Sequence, residues 1–320
     1  MNNYEYKSRF ANDIKGFISF RCALGYQEFT YSKTMTVFDQ FCLDAFPHQD
    51  ILTQEIVEKW ALPRKREHIK SIGRRLNVIR LFGRYIIYIG KSAYVAPSKL
   101  VGSGQPFTPY IYDDNELKAF FYAADRIPPS SQAPYKEYIF PVLFRIQYCC
   151  GLRPSEVRLI KRTDLDHETG ILTITEAKNH RDRNIVLSEQ LLELCSKYDH
   201  LISQRQPSRE YYFEHPNGGP YTASQIQDQF KTCWRNAGIT FRDRRKPRVY
   251  DARHNYASRI LSLWMEQGYD VKALLPYLSE YMGHSSLEST AYYIHLIPER
   301  LHVNDFMGIS GLFPEVPYDY

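Results

Sequence analysis

At 320 residues the chain is long enough for two domains of ordinary size, each with its own core. Its 43% apolar and 24% charged residues are a globular balance, which excludes a disordered or low-complexity chain. The net charge of +5 is unevenly spread: residues 1–102 carry a balance of +7, the rest −2, and 59–99 set 11 basic residues against the single acid Glu67. Surfaces normally intersperse both signs, so a polyanion is the expected partner, and nucleic acid is the commonest one. No apolar stretch is long enough to cross a bilayer, and MNNYEYKSRFANDIK lacks the apolar core of a signal peptide. The six cysteines show no CxxC spacing, so they read as reduced thiols of a cytoplasmic protein, and no metal site is expected.

In chain order, the first hundred residues read as helical. Around 66–88, Ile69, Ile72, Leu76, Ile79 and Phe82 recur at spacings of three and four, the stripe of a helix packed on a core. Between them Arg66, Lys70 and Arg74 follow at i, i+4 and i+8, with Arg84 further along. Such a cationic side can neutralise phosphates or lie in a major groove. A membrane-surface helix is the weaker reading, because a small domain needs that apolar face for its core. VGSGQPFTP (101–109) has linker composition, which divides the chain into a helical domain over 1–102, a linker at 103–110 and a second domain from 111 to 320. Asp113 with Glu116 offers a capping box opening a helix. Another helical stretch runs from about Pro134 to Cys150 and stops at Gly151. ILTITE (171–176) and NIVL (184–187) flank a polar turn as a hairpin, and helices return from about 189. The predicted fold is mainly α with a small antiparallel β-sheet, in two domains.

Gly90-Lys91-Ser92 ends like a phosphate-binding loop, but Tyr85 stands where the first glycine would be. There is no HExxH, no GxSxG and no acidic cluster resembling a two-metal nuclease site. Chemistry on DNA must therefore come from basic and nucleophilic side chains. Breaking a phosphodiester without metal needs an aligned nucleophile, cations on the non-bridging oxygens, an acid for the leaving oxygen and further donors for the developing charge. Four ordered segments offer them: GLRPSE (151–156), AKNHRDRNIVLS (177–188), YDARHNYAS (250–258) and YMGHSSLESTAYYIHL (281–296). Their residues, order and separations resemble the boxes of the phage-integrase, or tyrosine recombinase, family, and the likeness covers most of 111–296.

That resemblance implies a helical, SAM-like core-binding domain followed by the recombinase catalytic domain, closing as a C-shaped clamp on double-stranded DNA. It implies that Tyr293 attacks the scissile phosphate, giving a 3′-phosphotyrosyl intermediate and a free 5′-hydroxyl. Arg153 and Arg253 would grip the non-bridging oxygens, where a guanidinium fork matches phosphate geometry. Lys178 would protonate the leaving oxygen, His284 would donate to the phosphate, and Glu156 would orient the first arginine. No cofactor and no metal is implied, because bond energy is kept in the protein–DNA ester. Partners would be other copies of the chain, two on an inverted-repeat core site and four during strand exchange. The tail after Tyr293, with Leu301, Phe306 and Leu312, would dock on a neighbouring protomer or fold back on its own domain.

Several positions keep a second reading. Tyr292 competes with Tyr293; Lys161, Arg181 and Arg183 lie near Lys178; Arg253 has Asp251 and Asp243 as partners in sequence reach; and His284 suits a core as well as a site. The family pattern has histidine three residues before the second arginine, where this chain has Tyr250. A phenol donates to a phosphate but is a poor base near neutral pH, so Tyr250 is read as a hydrogen-bond donor, with the following His254 a partial substitute. The alternatives to a recombinase are a non-catalytic DNA-binding regulator on the same scaffold and a type IB topoisomerase-like activity that relaxes DNA.

Overall fold

A computed structural model of the chain describes residues 4–98, 100–102, 108–175, 182–239 and 246–296. It divides into two compact units, Met1–Phe107 and Thr108–Tyr320. Most of the linker placed at 103–110, Lys178 in its turn, Asp243 and the C-terminal tail lie outside the described residues.

The first unit is four helices, α1 (Ala11–Ala23), α2 (Glu28–Ala45), α3 (Gln54–Ala61) and α4 (Ile69–Tyr88). Aromatic rings meet at the centre of its largely aliphatic core: Phe82 of α4 meets Phe10 and Phe17 edge-on at 6.3 and 5.5 Å, and Phe38 meets Trp60 at 5.1 Å. Ile72, Leu76, Ile79 and Phe82 are all buried, as the apolar stripe requires. Arg66 departs from the predicted pattern. It precedes α4 with a left-handed backbone (φ 62°), so the cationic row on the helix begins at Lys70. The helix starts late because His68 caps it, accepting from the Lys70 N–H at 3.2 Å. Glu67 meanwhile turns back to Arg75 at 2.8 Å. Lys70, Arg74 and Arg84 are exposed, whereas Arg75 is buried in that ion pair and Arg80 is spent on the carbonyls of Ala96 and Pro97.

The second unit opens with α5 (Asp114–Ala124), started by the reciprocal bonds of Asp113 and Glu116 at 2.7 and 2.9 Å. Helix α6 (Lys136–Cys149) is buried from Ile139 to Tyr148 and runs through the core, with Arg145 in its middle neutralised by Asp125 at 2.6 Å. It stops at Gly151, whose φ of 61° suits glycine, and a side chain there would meet the Tyr256 ring at 2.5 Å. After the one-turn α7 (Pro154–Val157) come β1 (Leu165–Asp166), β2 (Ile171–Ile174) and β3 (Arg183–Val186), an antiparallel sheet in that order with Leu172 opposite Leu165 and Ile185. The predicted hairpin is β2–β3; β1 is an addition, too short to show a period in sequence. Helices α8 (Glu189–Arg205), α9 (Ala223–Asn236), α10 (Asp251–Glu266), α11 (Val271–Met282) and α12 (Glu288–Ala291) follow, then a 3-10 turn at Tyr292–Leu296. Asn255 of α10 accepts from the Tyr112 N–H and donates to the Tyr110 carbonyl, which ties α10 to the start of the unit. No helix among the described residues is long and apolar enough to cross a membrane. All six cysteines are free thiols.

Candidate active site

Turns rather than long elements deliver the site. Arg153 stands at the N-cap of α7, set by the turn that Gly151 makes and by Pro154 at the first helical position. Its backbone N–H donates to Glu156 Oε2 at 2.8 Å and its Nη1 donates to Oε1 at 2.5 Å, while Nη2 donates to the Gly283 carbonyl at 2.6 Å. From β3, Arg183 donates to both Glu156 oxygens at 2.8 and 3.2 Å and, through Nε, to the Tyr281 carbonyl at 2.8 Å. Arg253, on the first turn of α10, is fully buried. It donates to the carbonyls of Gly151 and Met282 and comes within 3.8 Å of Glu156. One buried carboxylate thus faces three guanidiniums, a local excess of positive charge that an anion can satisfy.

The carbonyls of Tyr281, Met282 and Gly283, which receive these arginines, end α11. Gly283 closes that helix in the left-handed region (φ 61°), and a side chain there would press Arg183 Nη1 at 3.0 Å. The next residue, His284, turns into a cleft of about 340 Å³ that Arg153, Tyr250, His254, Tyr292 and Tyr293 also line. His284 Nδ1 lies 2.7 Å from Thr290 Oγ1, and its ring stacks on that of Tyr293 at 5.9 Å and 19°. Tyr293 is 3% exposed and also packs in the small core of α10 and α11, whereas Tyr292 is half-buried. Tyr250 stands at the opening, 39% exposed.

Electrostatics follow from this packing. Burial pushes the Tyr293 hydroxyl up to about 12, against the pull of Arg253 and Arg153. Burial, then the charges of Arg253, Arg153 and Arg183, hold His284 down at about 4, so its imidazole is neutral at pH 7. Burial alone would raise Glu156, but its hydrogen bonds and charge pairing with Arg183 and Arg153 outweigh that and keep it below the usual carboxylate range. Burial and the Arg153 charge lower Arg253, which stays cationic at neutral pH. No group of three His, Cys, Asp or Glu among the described residues could hold a metal ion.

The sequence profile described as the phage integrase family matches residues 112–300. The chain belongs to that family, the tyrosine-type site-specific recombinases. A protein of Sinorhizobium fredii, the integrase/recombinase-like y4rB, is 27% identical over 306 residues, covering 92% of this chain and 95% of that protein. The tyrosine recombinase XerC of Oceanobacillus iheyensis is 23% identical over 245 residues, covering 72% of each. Among solved structures, the XerH recombinase in its post-cleavage complex with palindromic difH superposes with a TM-score of 0.65 at 20% identity, over 86% of this chain and 78% of that one. A lambda integrase dimer on a COC′ core site gives 0.65 at 15% identity, over 93% and 98%. These likenesses place the fold of this tyrosine recombinase among the integrases.

Of the nominated residues, Arg153, Tyr250, His284 and Tyr293 line this one cleft, Glu156 is bonded to Arg153, Arg253 approaches Glu156, and Lys178 lies outside the described residues. Arg253 does not take Asp251, whose carboxylate is held by Arg248 at 2.8 Å. Two contributors escaped the sequence reading. Arg183 looked like one more basic residue of a polar turn, and only the fold shows it braced on Glu156. Thr290, six residues after His284, has no motif of its own.

Proposed function

We propose that this recombinase cuts and rejoins double-stranded DNA through Tyr293, with Arg153 and Arg253 on the non-bridging oxygens, His284 donating to the phosphate, and Lys178 as the acid for the leaving oxygen. The Tyr293 oxygen attacks phosphorus, the P–O5′ bond breaks, and a 3′-phosphotyrosyl ester and a 5′-hydroxyl result. A 5′-hydroxyl from another strand reverses the step. Glu156, with Arg183 behind it, keeps the Arg153 fork in place. Tyr250 at the opening supplies a hydrogen bond to the phosphate. Lys70, Arg74 and Arg84, with Arg66 beside the helix, contact DNA phosphates in the first domain, and exchange takes place in a tetramer assembled on inverted-repeat core sites.

One observation supports this reading above the rest: the buried Tyr293 shares a single cleft with Arg153 and a neutral His284, against a carboxylate outnumbered by guanidiniums. Tyr250 at the position of the family histidine is the one feature favouring a DNA-binding protein without catalysis. Nicked duplexes with a randomised core, incubated with the protein in chelator, decide between them. The expected result is a covalent protein–DNA adduct that Tyr293→Phe abolishes. Tight binding without an adduct would favour the regulator, and relaxation of supercoiled DNA by monomers without a paired-site product would favour a topoisomerase.

A further inference from the structure

As it attacks, the Tyr293 hydroxyl must lose its proton, and burial makes that harder. The neutral phenol of Tyr250 is a poor proton acceptor beside an imidazole. Two imidazoles border the Tyr293 ring. His284 is engaged with Thr290 and bears the charges of Arg253, Arg153 and Arg183, which places it on the side where phosphate oxygens would sit. His254 follows Tyr250 by one helical turn on α10, so both project from one face. Its ring lies 5.2 Å from that of Tyr250 and 5.5 Å from that of Tyr293. It lines the same cleft and leads from the buried tyrosine toward the exposed one.

We propose that His254 accepts the hydroxyl proton of Tyr293 during strand cleavage and returns it on rejoining, a role that rests on Tyr293 being the nucleophile. The Tyr293 O–H proton passes to the imidazole as the O–P bond forms. The P–O5′ bond breaks with its electron pair on O5′, which takes a separate proton from the acid, Lys178. His254 is then an imidazolium until a 5′-hydroxyl attacks and the tyrosine leaves with that proton. The groups facing it are Arg248 and Arg253 from its own segment, Tyr250 at its opening, His284 from the turn after α11, and Tyr293 from the 3-10 turn. Burial, then Arg248 and Arg253, hold its imidazole near 4, so it is unprotonated and able to accept at neutral pH. A phosphodiester held against Arg253 offsets that residue's repulsion and raises the basicity of His254.

The test is single-turnover adduct formation by the full-length protein on nicked duplexes recovered from the randomised pool, followed from about pH 6 to about pH 10. His254→Ala should bind DNA as wild type does but react about 10²-fold more slowly at neutral pH. That deficit should shrink as pH rises and the phenol ionises unaided. Tyr250→His in the same background should recover most of the rate. With sulfur in place of the leaving O5′, which departs without a proton, Lys178→Ala should be rescued and His254→Ala should not. If His254→Ala does not fold, His254→Gln gives the same comparison, because an amide cannot take the proton. No deficit, a deficit constant across pH, or rescue by sulfur overturns the proposal. A wild type that forms no adduct, or a Tyr293→Phe variant that still forms one, instead removes the nucleophile assignment and takes this role with it.

Discussion

Replacing Glu156 by glutamine removes the negative charge to which Arg153 and Arg183 are bonded at 2.5 and 2.8 Å and which Arg253 approaches at 3.8 Å. Neutralising one partner of a buried ion pair costs about 3–5 kcal/mol, because the opposite charge is left uncompensated. A glutamine oxygen still accepts from a guanidinium, but its NH₂ group is set against donors, so a loss near the bottom of that range, about 3 kcal/mol, is expected. For a domain of this size that is a fall in Tm of about 6–12 °C. Thermal unfolding of the full chain, followed calorimetrically at pH 7, measures it. The loss should fall on the transition of the second unit, and inorganic phosphate should narrow the gap by binding the freed guanidiniums. Because pairing depresses the Glu156 pKa, its stabilisation is present above the ordinary carboxylate value of 4.5 and is lost as pH falls through the lower, folded value. The difference between the two proteins should therefore close in acid. A Tm change under about 1 °C at pH 7, or an equally large gap in strong acid, would refute the reasoning.

Other outcomes follow from the same geometry. Gly283→Ala places a side chain 3.0 Å from Arg183 Nη1 in a left-handed backbone, so it should cost about 1–2 kcal/mol in denaturant unfolding and slow cleavage beyond any loss of binding. Lys70→Ala, Arg74→Ala and Arg84→Ala should each reduce the salt slope of DNA binding by about one without changing stability, as fluorescence anisotropy across salt concentrations would report. Arg75→Ala should instead destabilise the first domain, because it orphans the Glu67 carboxylate that Arg75 holds at 2.8 Å. His254 and His284 are both depressed to about 4, so below their ordinary value of 6.5 the unfolded chain takes up protons that the folded one refuses. Stability should thus fall between about pH 6.5 and pH 4, and replacing either histidine by glutamine should flatten that fall in urea titrations.

Much of this was legible in the sequence where local chemistry governs. The Asp113–Glu116 cap, the stop at Gly151, the α4 stripe and the β2–β3 hairpin each depend on residues close in the chain. The start of α4 was misread at Arg66 because a capping histidine and a glutamate that turns back to Arg75 are weak signals beside a regular basic spacing. The spacing of the boxes picked out four residues that line one cleft, Arg153, Tyr250, His284 and Tyr293, and two, Glu156 and Arg253, that join it through Arg153. It could not show that Glu156 is shared, because Arg183 and Arg253 lie 27 and 97 positions away along the chain and meet it only through β3 and α10. Only the nine-residue spacing from His284 favours Tyr293 over Tyr292 in the sequence, and the fold adds a difference in burial and the ring stacked against His284.

The most direct test of the account is to find which residue carries the DNA. Adduct from a nicked duplex, digested with protease and nuclease, would be mapped by mass spectrometry. A nucleotide joined through its 3′-phosphate to Tyr293 is expected in wild type, retained in Tyr292→Phe and lost in Tyr293→Phe. A nucleotide on Tyr292, on Tyr250 or on a serine of the cleft would contradict it.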